Sequence, residues 1–285
     1  MMYFSQILTL FILANWQCTP STQQQKEEPF PTPYSLNDFQ KIVLQDKLEE
    51  ISGLEWVGKE MLLAIEDESS VIYSLDTESG KVLMEQKFAN KHHDIEDIAY
   101  INDAAWVLQS DGTLYEVTSV FNERSKSIKY EFPIDKKRDM EAMVISQDGS
   151  FLYVFCKSCK WDDTDNEASV FRFNLSSKAY DEVVFTSLKR REMEALLQGK
   201  EMEDLEIEPA AAAFHPIEKQ LYVLSSSGKW LMIADANFQP KEVYRLNRNI
   251  FKKPEGITFD PKGNMYISNE ARGGRPNILV FNYKP

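Results

Sequence analysis

Five stretches of this chain share one pattern, and a repeat of fixed period constrains a fold more tightly than any single motif. Each is a short lead-in followed by a strand of small or apolar residues ending in an aromatic residue or Ile: EISGLEW, DIEDIAY, DMEAMVI, EPAAAAF and KPEGITF. A second strand follows each one: MLLAIED, AAWVLQS, FLYVFCK, QLYVLSS and NMYISNE. With the third residue of each lead-in as anchor (Ser52, Glu96, Glu141, Ala210, Glu255), the spacings are 44, 45, 69 and 45 residues. Three of the four match a four-stranded propeller blade. One insertion, the charged stretch Leu188 to Glu206, explains the long interval, and its MEALLQGKEME reads as helical, lying over one face.

Third and fourth strands are legible too, Ser70 to Leu75 and Val82 to Phe88 in the first repeat, Trp230 to Ala234 and Glu242 to Leu246 in the fourth. Turn signals at Gly80, Gly112, Gly149 and Gly263 separate the strands. The fifth repeat ends at Pro285 one strand short, and Phe39 to Leu44 stands where it can supply the missing strand. The fold class expected is all-β, a five-bladed propeller closed by an N-terminal strand. That closure leaves no free sheet edge between the chain ends. Four residues after each anchor stand Trp56, Tyr100, Ile145, Phe214 and Phe259; one after stand Gly53, Asp97, Ala142, Ala211 and Gly256. Strand side chains alternate faces, so each inner strand presents bulk on one face and mostly small residues on the other. Apart from the insertion, no helix-length segment separates the strands, which disfavours a parallel α/β fold.

Hydrophobic residues make up 43% of the 285, ample for a packed core. The formal charge is −13, from 45 acidic and 32 basic residues. That balance repels phosphate backbones and excludes nucleic acid as a natural partner. The apolar run Ile7 to Ala14 is too short to span a bilayer but has the length of a signal-peptide core. Before Cys18 it is similar to a bacterial lipoprotein signal, although no Lys or Arg precedes it and Trp16 and Gln17 are bulky for such a site. The expected organisation is a leader over 1–18, with Cys18 as lipidation site, a flexible tether over 19–37 and a propeller over 38–285. The chain is then an exported lipoprotein of the cell or outer membrane, facing periplasm or exterior, with an envelope ligand or protein as partner.

The lead-ins ISGLEW and EPAAAAFHP and the stretch PEGITFDPKGNMYISNE resemble the SdiA-regulated family, also called the calcium-regulated β-propeller family, over roughly residues 38–283. The resemblance implies a propeller, an extracytoplasmic place and a link to calcium; it implies no particular reaction. Relatives carry Ser-Gly or Ser-Ala where this chain has Ala210-Ala211, which removes a hydroxyl there.

Two residues before the anchors stand Glu50, Asp94, Asp139, Glu208 and Lys253. In a propeller these positions and the anchors converge on one mouth of the central channel. Crowded carboxylates repel, and a hard divalent cation relieves them. The expected calcium ligands are Glu96, Glu141 and Glu255, with Glu50 and Glu208 next, and Asp94, His93, Asp139 and Lys253 as further mouth residues. The competing reading is structural: the acids pair with Lys253, cap turns or hold backbone N–H groups.

Cys156 and Cys159 lack the second half-site that zinc needs, and read as a loop pair, bonded in an oxidising compartment. Asp162 to Glu167 fails the EF-hand pattern, with Ala168 at position 6 and Asn174 at position 12, and reads as a solvated acidic loop. There is no G-x-S-x-G, Walker A or H-E-x-x-H. A binding or scaffold module is therefore expected, the alternative being a metal-dependent hydrolase of lactonase or phosphoesterase type using a carboxylate-bound cation.

Overall fold

The computed structural model describes residues 29–90, 94–122, 124–198 and 205–285. Cys18 and His93 lie outside them.

Five sheets, one per repeat and antiparallel apart from one two-residue strand at the edge of the fourth, form five blades. Their inner strands are Ile51–Gly58, Ile95–Ile101, Met140–Ile145, Ala211–Phe214 and Pro254–Phe259. Each contacts the next, and the fifth returns to the first, closing the ring. In blade 1 the order runs outward through Met61–Glu66, Val71–Asp76 and Val82–Lys87. In blade 5 the outermost strand is Phe39–Val43, paired antiparallel with Asn277–Phe281 from Phe39 opposite Phe281 to Val43 opposite Asn277. The N-terminal strand thus closes the ring where the repeat count required it.

Strand alternation divides the core into five layers, one in each gap between blades. Along the second strand of blade 1, Leu62 and Ala64 face blade 5 with Ile278 and Tyr266, while Leu63 and Ile65 face blade 2 with Ile98 and Val107. The small residues one after each anchor let the inner strands approach closely. A Cβ on Gly53 would lie 2.8 Å from the backbone nitrogen of Ile98, and one on Gly256 would lie 2.9 Å from Leu54 Cβ. Asp97 is the polar exception in this row, and it joins two blades. Its Oδ1 accepts the N–H of Ile98 at 2.8 Å and its Oδ2 that of Met143, in blade 3, at 2.6 Å. Burial pushes this carboxyl well above the usual range.

Two segments differ from expectation. Among its described residues the insertion forms a short helix, Arg190–Glu194, and runs along the outer edge rather than over a face, while residues 199–203 of the stretch read as helical lie outside the described residues. Thr186–Lys189 pairs with the third strand of blade 3, and Leu197–Gln198 pairs in parallel with the outer strand of blade 4. Met193, Leu205 and Ile207 are buried in the layer between those blades. Residues at the end of the expected tether are also part of the packed structure. Phe30 and Leu36 pack on the layer between blades 4 and 5, and Tyr34 donates to the Gly263 carbonyl at 2.7 Å. His215 Nδ1 accepts the N–H groups of Ile217 and Glu218, so Nε2 carries the proton and donates to the Tyr34 oxygen at 2.9 Å.

Candidate functional site

Pairing between the first two strands skips a residue in three blades, between Ile95 and Asp97, Met140 and Ala142, and Pro254 and Gly256. The skipped residues are Glu96, Glu141 and Glu255. A β-bulge leaves its extra residue unpaired and re-aims the side chain, so these carboxylates escape the alternation of the sheet at the channel mouth. In blade 1 the skip covers Ser52 and Gly53; in blade 4 Ala210 precedes the strand and donates its N–H to Leu224.

The residue just past each second strand supplies another ring: Asp67, Ser110, Lys157, Ser226 and Glu270. The N–H groups of Asp67, Ser110, Lys157 and Glu270 donate to the carbonyls of Glu50, Asp94, Asp139 and Lys253. One hydrogen bond repeated in four blades therefore sets each second-ring side chain beside its lead-in. These residues are the last letters of the five second-strand phrases, a signal present in the sequence but not used there.

The two rings meet in a cavity of about 160 Å³ lined by Glu141, Lys157, Glu208, Ser226, Lys253 and Glu255, among others. Lys157 donates to Glu141. Lys253 donates to Glu270 and lies 3.5 Å from Glu255. Ser227 Oγ donates to Glu208 at 2.5 Å. Two of the three expected principal ligands, Glu141 and Glu255, are thus tied to lysines. Lys157 is also held from the other side, because Cys156 and Cys159 are disulfide-bonded and close a short loop around it. The loop is anchored by the Lys157 and Ser158 N–H groups, both donating to the Asp139 carbonyl.

Proton affinities record the crowding. Burial first, then Glu141, Asp94 and Asp139, pushes Glu96 up to about 10. Burial raises Glu141 to about 8 against the opposing pull of Lys157, with Glu255 adding to the rise. Glu255 and Asp139 are also raised, mainly by burial. On the blade 1 side, burial and then Glu50, Glu270 and Glu66 raise Asp67 to about 7. Ligand oxygens of Glu50, Glu66 and Asp67 lie within 4.8 Å of one another. Asp67 Oδ1 is buried with no hydrogen-bond partner among the described residues. Asp162 accepts the Ser169 N–H at 2.9 Å and its hydroxyl, so the acidic loop that begins there is held by its own blade.

The model of the SdiA-regulated family matches residues 34–141 and 178–280. The chain belongs to the SdiA-regulated family. The unmatched stretch of this SdiA-regulated propeller, within blade 3, carries the Cys156–Cys159 disulfide. No curated protein matches the chain. Solved structures similar to it include the glutaminyl cyclase of Myxococcus xanthus, 9% identical over 86% of this chain and 94% of that one, with a TM-score of 0.55. A luciferin-regenerating enzyme is 9% identical over 86% and 95%, TM-score 0.48. Virginiamycin B lyase from Staphylococcus aureus is 11% identical over 86% and 74%, TM-score 0.44. At such identities the likeness is one of fold alone.

Proposed function

We propose that this chain is a binding propeller held at the cell envelope through Cys18, and that a calcium-class cation seats on the blade 1 side of the channel mouth. The carrying observation is the set of carboxylate oxygens of Glu50, Glu66 and Asp67, together within 4.8 Å and including the orphaned, buried Asp67 Oδ1. These are hard oxygen donors of the kind calcium takes, and they lack the lysine partners that engage Glu141 and Glu255. A bound cation would supply the positive charge that this crowded group lacks, fixing the loop after the second strand of blade 1 relative to the lead-in at Glu50. The ligand-facing surface would then be organised by the cation rather than created by it.

Calcium binding only the folded state should stabilise by RT ln(1 + [L]/Kd), about 2.7 kcal/mol at a hundredfold excess over Kd. For a domain of this size that is a rise in melting temperature of roughly 5–10 °C. Melting of metal-stripped protein should show it, the paired change Glu50→Gln and Asp67→Asn should remove it, and Glu141→Gln should leave it in place. A melting temperature indifferent to calcium in the unaltered protein would sink the cation reading. The anchoring is checked separately: membrane-fraction protein should begin at a diacylated or triacylated Cys18 by mass spectrometry, and an unmodified chain retaining residues 1–17 would contradict it.

A further inference from the structure

Away from the channel mouth, the outer part of blade 3 holds a pocket of about 450 Å³. Five apolar side chains line it: Ile134 from the connection between blades 2 and 3, Trp161 from the loop after the second strand of blade 3, Phe171 from the third strand, and Val183 and Val184 from the loop between Ala179–Tyr180 and Thr186–Lys189. The aromatic rings are fixed in place. Trp161 stacks on Phe132 with ring centres 6.1 Å apart and meets Phe171 edge-on at 5.6 Å. The Lys160 N–H donates to the Lys137 carbonyl at 3.1 Å and the Asp162 N–H to the Cys159 carbonyl at 3.0 Å, so the chain is tied down on both sides of Trp161, next to the disulfide. Val183 is 70% and Val184 41% exposed, and adjoining apolar side chains left to water mark a binding surface where scattered ones do not. The charges around the pocket are uneven, Asp162, Glu167 and Glu182 against Lys136 alone. Glu167 accepts the Ser187 hydroxyl over a long 3.4 Å, and Glu182 has no ion pair among the described residues, while its neighbour Asp181 is taken by Arg172 at 2.7 Å. The three carboxylates are not gathered within 4.8 Å of one another as those of Glu50, Glu66 and Asp67 are, so they suit a diffuse positive group and not a metal ion.

We propose that this pocket binds a small organic cation, an ammonium group carried on an apolar body, between the aromatic and valine walls and the acids Glu167 and Glu182. Such a ligand uses both halves of the lining at once. Aromatic rings attract a cation through their quadrupole, carboxylates attract it by charge, and the apolar body covers side chains otherwise left to water. A neutral molecule of the same shape gains only the apolar contacts, and an anion meets three acids for one base. The volume lies within the roughly 300–1,000 Å³ typical of small-molecule sites. Walls already held by ring packing and backbone bonds need little ordering when the ligand enters. Trp161, Asp162, Glu167 and Phe171 fall between the two matched stretches 34–141 and 178–280, so the pocket lies largely beyond what the family match covers. It shares no residue with the Glu50, Glu66 and Asp67 group or with the cavity at the mouth.

The test is a titration of the full chain, stripped of calcium, with three probes that share one aryl body and differ in charge: benzylammonium, benzyl alcohol and benzoate, followed by the nuclear magnetic resonance signals of the probe at fixed ionic strength. Benzylammonium should bind about five- to tenfold tighter than benzyl alcohol, and benzoate weakest of the three. The paired change Glu167→Gln and Glu182→Gln should bring benzylammonium down to the affinity of benzyl alcohol and leave benzyl alcohol where it was. Glutamine at 167 still accepts the Ser187 hydroxyl, and Glu182 is exposed, so the single change Glu182→Gln gives the same direction in a chain whose fold it does not touch. Glu85→Gln removes the same charge from an exposed pair with Lys47 in blade 1 and should change nothing. Equal binding of the ammonium and the alcohol, a preference that survives the paired change, or no binding of any probe overturns the proposal. Because the calcium reading is tested on other residues, its failure leaves this result standing, and the reverse holds as well.

Discussion

A chain shortened to begin at residue 45 is expected to lose its cooperative unfolding transition. The strand Phe39–Val43 is the outermost of blade 5, and removing it bares the edge of Asn277–Phe281 along its full length. Ile42 is 4% and Leu44 1% exposed, both in the layer between blades 5 and 1. Losing two such side chains costs about 1.5–3 kcal/mol each. A lost ladder of backbone hydrogen bonds adds about 1 kcal/mol per bond. The Leu44 N–H to the Pro276 carbonyl and the Arg275 guanidinium to the Leu44 carbonyl go with them. The sum approaches the roughly 5–15 kcal/mol that holds a whole domain folded. Urea unfolding followed by near-ultraviolet circular dichroism should show a broad drift or aggregation in place of a single step. Ile42→Asp makes a milder version of the same test in the full-length chain. A sharp transition in the truncated chain, within about 2 kcal/mol of the intact one, would mean that the other four gaps hold the ring without closure.

In chelator, stability should fall as pH rises from about 5 to about 8, and Glu96→Gln should flatten that fall. The sign follows from the carboxyls at the mouth. Glu96 is raised from an ordinary 4.5 to about 10 and Glu141 to about 8, so between 4.5 and these values the folded state holds protons that the unfolded state has released. Stability declines with pH wherever the folded state binds more protons. Glutamine keeps the shape of a protonated glutamic acid and removes the cost of ionising it. At pH 5 the variant should match the unaltered protein, and at pH 8 it should be more stable by an amount on the order of 2 kcal/mol. Urea midpoints at a series of pH values measure this. A stability that is flat or rising between pH 5 and 8 would show that these acids ionise freely in the folded protein.

The repeat made the five blades and the closing strand legible because each inner strand carries its own register mark, the lead-in, at nearly constant spacing. The anchors were legible for the same reason. Lys253 was legible with them as a partner for the acids, but Lys157 and Glu270 were not, because they reach the mouth from the ends of second strands, and strand-end letters carry no hydrophobic period. The described part of the insertion differs for another reason. MEALLQGKEME is rich in helix formers, and its first two residues end the helix Arg190–Glu194, yet Leu197–Gln198 meets an open strand edge at Pro240–Arg245 while Met193 finds an apolar layer to enter. Helix propensity of a few tenths of a kcal/mol per residue yields to burial of that kind.

The bulges at the inner strands separate the charge of the channel mouth from the pairing that holds the blades. A residue skipped by the ladder has no neighbour directly across the sheet, so Glu96, Glu141 and Glu255 can be exchanged with little effect on how the strands pair. Four such positions, filled by Ser52, Glu96, Glu141 and Glu255, surround one channel together with Ala210, which stands just ahead of the fourth inner strand. Chains with this architecture can therefore change the chemistry of the mouth by point changes, without first accumulating compensating changes in the blades.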